Sequence, residues 1–313
     1  MADYETTLDA ATLKKAEEEL HEVPKERQGA INAFRQWIEE RPYIKCPTDS
    51  RFLLMFLRAK KFSQLASREL LEMYLERRQQ FGSWFQDLDP SDPKIQGLLD
   101  SGFLLLLPGV DDEGRRVFMI RPGAIDPSNK SYTKVDMFRA FACLLDTILM
   151  DETTQVNGTV NVIDFSGFTM KHQSYVTMDD RKNFIQSWQK HFPARIKGIH
   201  IYNAGAFTEF ILMIVKLAMS SKIQKRLTSH GQNLETLYKS IPMRMLPEDF
   251  LPDEYDGPTV GSIKDVIAGM KKNFAQPEVV EYVKKVSSSK YGIDLSQRPK
   301  DDTVGSFRKL AVD

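Results

Sequence analysis

Residues 206–219, AFTEFILMIVKLAM, place apolar side chains on nearly every face of a helix, more than one core-facing stripe can use. Phe207, Phe210, Ile211, Ile214 and Val215 form a stripe at i, i+3, i+4, i+7 and i+8, and Leu212, Met213 and Leu217 extend it sideways. The run is too short to cross a bilayer, which takes roughly 20 apolar residues. Two readings remain: the helix is buried on all sides, or it covers an apolar cavity with one face and meets a membrane with the other. The flanking cations Arg195, Lys197, Lys222, Lys225 and Arg226 favour the second.

The chain has 313 residues, 42% hydrophobic and 27% charged, enough for a sizeable core and two lobes. Its first thirty residues lack the basic start and apolar run of a secretory signal, so cytosolic residence is expected. Cys46 and Cys143 have no metal-ligand spacing and read as reduced, buried thiols. Formal net charge is zero, so no overall field gathers nucleic acid. Between 193 and 230, however, six Lys/Arg face one acid, Glu209, a formal +5 that predicts an oriented anionic partner.

Residues 10–23, 25–40, 49–60 and 63–81 read as helices, the last with Leu65, Leu70, Leu71 and Tyr74 turned inward. DLDPSDPK, residues 87–94, is a loop and a lobe boundary. Short apolar runs at 103–107, 116–121, 160–165 and 198–203 then alternate with helical stretches at 133–152 and 177–191, which predicts a mostly parallel sheet with crossover helices. Helix returns at 260–288, and a polar tail from 289 is expected to be loosely held. The expected division is 1–94 helical lobe, 95–275 α/β lobe and 276–313 C-terminal helix and tail.

No phosphate-binding glycine loop, G-x-S-x-G or H-E-x-x-H occurs. His200, lone on a strand, reads as structural, and the acidic loop LPEDFLPDEYDGP lacks the spacing of a calcium loop. Lys222, Lys225 and Arg226, at i, i+3 and i+4, are expected on one helical face; Arg195 and Lys197, two apart on an extended segment, point together.

At these residues the chain resembles the CRAL-TRIO lipid-transfer family over roughly 25–275. The landmarks are TDSRFLLMFLRAKKF, NGTVNVIDFSGFTM, HFPARIKGIHIYNA, SSKIQKRLTSHG and LPDEYDG, in that order. The resemblance implies an all-helical N-terminal lobe on an α/β lobe whose sheet floors an apolar cavity, with residues 206–219 as its mobile helical gate. It implies a lining of Phe138, Phe141, Leu145, Phe165, Phe168, Ile199, Ile201, Phe207, Phe210, Ile211 and Ile214. It also implies phosphoinositide binding by Lys60, Arg195, Lys197, Lys222 and Arg226. Ala194 departs from the pattern of members that hold phosphatidylinositol inside, where an acidic residue stands, and argues against that cargo. The implied function is a cytosolic, monomeric, non-enzymatic carrier of one retinoid, tocopherol or carotenoid, exchanged at phosphoinositide-containing membranes, with no cofactor beyond the bound lipid. A phosphoinositide-reading adaptor without cargo is the alternative, and an enzyme acting on the cargo a more distant one. Whether Phe210 or Ile211 faces outward is open at this stage.

Overall fold

The computed structural model describes residues 4–299; the end of the polar tail and the Phe207 side chain lie outside the described residues. The chain opens with α1 (Ala10–Leu20) and α2 (Pro24–Glu39), then the two-residue strand β1 (Ile44–Lys45). In α3 (Ser50–Ala59) the run from Phe52 to Arg58 is buried throughout, and Asp49 caps the helix by accepting from the Phe52 N–H at 3.1 Å. On α4 (Gln64–Gln80) Leu70, Leu71 and Tyr74 point inward as expected. Leu65 does not: it lies on the face opposite Tyr74 and is exposed. Two short helices, α5 (Gly82–Phe85) and α6 (Pro93–Leu99), lead into the sheet.

The sheet has five strands in sequential order: β2 (Leu104–Leu106), β3 (Arg116–Ile120), β4 (Thr159–Asp164), β5 (Ile196–Tyr202) and β6 (Leu227–Ser229). β2 pairs antiparallel with β3 and all other neighbours pair parallel. Parallel neighbours need crossovers. These are α7 (Lys134–Met150) with α8 (Glu152–Asn157), then α9 (Met170–Tyr175) with α10 (Met178–Gln186) and a π turn at Ser187–His191, then α11 (Ala206–Lys216) with α12 (Ser221–Gln224). A Thr133/Asp136 capping box starts α7. β6 contradicts the expectation for the basic run: α12 is only four residues long, so Lys225 and Arg226 lie beyond it and the three cations do not share a helical face.

Alternation along the strands sorts the core into two layers. Phe118, Ile120, Ile163 and Ile199 face the main core, which is continuous with α2, α3 and α4. Val117, Met119, Val160 and Val162 face a second layer built from Leu237 of α13 (Leu234–Tyr238) and Val266 of α14 (Ile263–Phe274). Pro277 breaks the expected long final helix, starting α15 (Pro277–Ser287). The segment that follows is docked over its described part: β7 (Gly292–Ile293) pairs with β1, and Arg298 reaches Glu72 at 2.9 Å. Three buried ion pairs hold the N-terminal helices together and tie them to α7 and α8. Arg58 donates to Glu22 at 2.8 Å and to Glu152 at 2.9 Å, and Arg78 to Asp146 at 2.6 Å, geometries that offset the cost of burying the charges.

Candidate functional site: an apolar cavity and a basic cluster

A cavity of about 200 Å³ lies between the main-core face of the sheet and three helical walls. Strand residues Ile120, Ile163, Ile199 and Ile201 form its floor. α7 contributes Met137, Phe138 and Phe141, and α9 with α10 contributes Tyr175, Val176, Phe184 and Ile185. The aromatic rings interlock: Phe141 meets Phe184 edge-on at 4.7 Å, Phe118 at 5.9 Å and the π-turn residue Trp188 at 6.0 Å. Phe165 and Phe168, after β4, pack T-shaped at 5.4 Å on another part of the wall.

The third helical wall is α11. Thr208, Ile211, Leu212, Val215 and, after the helix, Met219 line the cavity, a set spaced as one helical face. Opposite them Phe210 is 56%, Met213 58% and Leu217 83% exposed. The helix therefore has two apolar faces, one on the cavity and one on solvent. This answers the question left by the sequence: Ile211, 7% exposed, is the inward residue and Phe210 the outward one. Both ends of the segment are latched by polar contacts. Ser229 donates to Glu209 at 2.7 Å; Gln189 donates to the Ala218 carbonyl at 2.6 Å and accepts from the Ser220 N–H at 3.0 Å.

Of the expected lining, the structure brings Phe138, Phe141, Phe165, Phe168, Ile199, Ile201 and Ile211 to the cavity. Phe210 and Ile214 are not there, because the inward arc of α11 is centred on Ile211 and Leu212 and carries them outside. Leu145 is also absent from the wall; one turn beyond Phe141 on α7 it is packed in the closed core. Sequence reasoning missed the contributions of α9 and α10, whose scattered apolar residues make no strong periodic stripe.

Two polar groups in the wall, His172 and Arg181, are already engaged, whereas the Tyr175 hydroxyl and the Trp188 indole N–H are buried there without a hydrogen-bond partner among the described residues. His172 has Nδ1 at 2.8 Å from the Thr169 hydroxyl and Nε2 at 2.7 Å from the Ile125 carbonyl. Arg181 donates to the carbonyls of Val176 and Gln173, both at 3.1 Å. No carboxylate or thiol lines the cavity among the described residues. Nor, among them, is there a cluster of three His, Cys, Asp or Glu that could hold a metal ion. The thiols lie elsewhere and burial keeps them protonated, that of Cys46 being pushed up to about 12.

The expected cations do converge near the start of β5. Partial desolvation lowers the pKa of Lys222, and the neighbouring charges of Arg226, Arg195, Lys60 and Lys61 lower it further. Lys61 was not anticipated; its left-handed backbone, φ 54°, is the turn between α3 and α4 that delivers it. Arg195 and Arg226 donate to the carbonyls of Val156 and Ile196, which fixes both guanidinium groups. Lys197 and Arg195 also share one carboxylate oxygen of Glu19, at 3.1 and 3.2 Å.

Fold and site together define a class: an α/β protein enclosing an apolar cavity behind a two-faced helix, with a basic cluster nearby. The chain belongs to the CRAL/TRIO domain family, whose model matches residues 100–257. A second model, the Pinta-like UBA domain, matches residues 23–95. Clavesin-2 of Mus musculus and of Homo sapiens are each 35% identical over 251 residues, covering 80% of this chain and 76% of theirs. Alpha-tocopherol transfer protein-like of Mus musculus is 35% identical over 248 residues, 79% of this chain and 71% of that one. Among the described residues no helix is long and apolar enough to cross a membrane.

Proposed function

We propose that this protein is a carrier that holds one small isoprenoid lipid, of the retinoid, tocopherol or carotenoid class, in the α11 cavity and exchanges it at phosphoinositide-containing membranes. The observation that carries the reading is the division of α11 into a cavity face and an exposed apolar face, with polar latches at the ends of its segment. Such a wall can leave the cavity for a bilayer by exchanging one apolar contact for another.

At about 200 Å³ the cavity is smaller than the roughly 300 Å³ at which pockets for drug-sized ligands begin, so loading requires α11 to move outward. A bound chain hiding several hundred Å² gains on the order of 10 kcal/mol gross at ~25 cal/mol per Å². Spontaneous release is then slow, and membrane contact is the trigger. The relative named alpha-tocopherol transfer protein-like supports transfer as the activity and tocopherol as one cargo to test. The engaged His172 and the apolar wall support a carrier over an enzyme. Cytosolic residence as a monomer, with peripheral membrane contact, completes the proposal, as does its lobe division at about residues 94 and 275.

The test is an organic extract of protein purified from cells, analysed by mass spectrometry. A carrier retains one lipid per chain. Protein that carries none, takes up none of the three classes and still binds phosphoinositide vesicles would instead be an adaptor.

A further inference from the structure

Glu19 lies near the end of α1, yet its carboxylate sits between two cations 176 and 178 residues away, Arg195 at 3.2 Å and Lys197 at 3.1 Å. Both donate to the same oxygen, Oε2. Burial works against the charge of this carboxylate, but the hydrogen bonds and charges of Lys197 and Arg195 prevail and hold it ionised. The side chain is 39% exposed, so the contact is open to a competing anion from solvent. α1 itself is attached by a small apolar cluster, Leu8, Ala16, Leu20 and Val156, separate from the main core. Few buried contacts make a segment easy to displace.

We infer that Glu19 is an internal competitor for the phosphate site, an autoinhibitory contact that a phosphate monoester displaces and a singly charged headgroup leaves in place. This rests on the proposed phosphoinositide reading. Lys222 and Lys61, on the other side of the cluster, supply the initial attraction for any anionic surface. To reach Arg195 and Lys197 a ligand must replace the bonds Glu19 makes. A phosphate monoester, with nearly two charges and three acceptor oxygens, replaces them with a surplus. The headgroup of phosphatidylserine has one net charge and no surplus, so it leaves Glu19 in place and gains only the attraction of Lys222 and Lys61.

The experiment compares wild type, Glu19→Gln and Glu18→Gln on vesicles of phosphatidylcholine alone, with phosphatidylserine, and with phosphatidylinositol bisphosphate. Glu18 is the control: 65% exposed and 3.8 Å from Lys14, it makes the same change in net charge without touching the cluster. Glu19→Gln is expected to raise bisphosphate binding about tenfold, because no bonds then have to be displaced, and phosphatidylserine binding by less, so that selectivity widens. Glu18→Gln should leave selectivity as in wild type. Should Glu19→Gln loosen α1, Glu19→Asp, which keeps the charge but shortens the reach, must move selectivity in the same direction. Equal effects of Glu18→Gln and Glu19→Gln, or none from either, overturn the inference. A gain for soluble inositol trisphosphate without a gain on vesicles would assign the site to a free phosphate and overturn the membrane assignment. If no variant binds any anionic vesicle, the phosphoinositide reading itself fails, a result distinct from unchanged selectivity.

Discussion

His200 on β5 and His230, just after β6, face each other with Nδ1 of the first 3.0 Å from Nε2 of the second. The contact joins the two strands between which α11 and α12 leave and re-enter the sheet. His230 continues the chain to Thr236, Nδ1 to Oγ1 2.9 Å, and Thr236 donates to the Asn233 carbonyl at 2.9 Å. Both rings are buried, at 9% and 7% exposure, so the pair is accommodated uncharged.

Burial, the charge of His230 and that of Arg115 lower the His200 pKa from 6.5 to about 4. The native state thus resists a proton that the unfolded chain accepts. As pH falls below about 6.5 the unfolded state gains protons first, and stability is lost progressively until about pH 4. Burial lowers the His230 pKa as well, which acts in the same direction. His200→Asn keeps a polar group and removes the titration. Its denaturation midpoint is expected to fall less than that of wild type between pH 7 and pH 5, with the difference largest at pH 5. Parallel losses in both proteins would remove the pair as a source of acid sensitivity.

Phe141 and Phe168 both line the cavity but differ in what stands behind them. Phe141 is 1% exposed and belongs to the main core, whereas Phe168 is half-buried beside Phe165 and His172. Phe141→Ala is expected to cost about 3 to 5 kcal/mol of fold stability as well as ligand affinity. Phe168→Ala should weaken retention of a bound retinoid or tocopherol with a much smaller loss of stability. Denaturation of the ligand-free variants beside ligand retention separates the two effects; similar stability losses would mean the site does not tolerate open space at Phe168.

How much of this was legible beforehand follows from the reach of each signal. The capping box of α7 and the apolar runs of β3, β4 and β5 are local, and they give the α/β architecture directly. The face of α11 was not legible, because a helix apolar all round carries no phase; the burial of Thr208, Ile211 and Leu212 and the exposure of Phe210, Met213 and Leu217 fix it. Leu145 and Phe141 differ by one turn on a helix buried nearly throughout, so the sequence does not say which meets the cavity. β6 is three residues long and follows cations at helical spacing, which masked it. Glu19 and Lys61 join the basic cluster only through tertiary placement, one across 176 residues and the other through a left-handed turn.

The basic cluster predicts a salt-sensitive membrane contact. Arg195 is a poor first target, because it donates to the Val156 carbonyl and its loss would disturb the start of β5. Lys222 and Lys61 are exposed and cleaner. The double variant Lys61→Ala with Lys222→Ala should lose about 2 kcal/mol of binding to phosphoinositide vesicles, roughly thirtyfold, at low ionic strength. The deficit should shrink at high salt, where the wild type loses its own advantage. Lipid binding in the cavity should be unchanged. Equal vesicle binding by variant and wild type at low salt would move the phosphate contact elsewhere.

The two faces of α11 make opposite predictions for neighbouring residues. Phe210, 56% exposed, gives up little in the closed protein when replaced by Asp, but the charge must enter the bilayer if this face docks there. Phe210→Asp is expected to slow transfer between vesicles with little change in equilibrium ligand affinity. Ile211, 7% exposed on the cavity, should do the reverse: Ile211→Asp buries a carboxylate against the cargo and lowers affinity outright. Outward movement can be read separately, since amide exchange in α11 should accelerate with phosphoinositide vesicles while that in β4 does not. If Phe210→Asp transfers as fast as wild type and α11 stays as protected as β4 with vesicles present, the helix is a fixed wall and cargo must enter by another route.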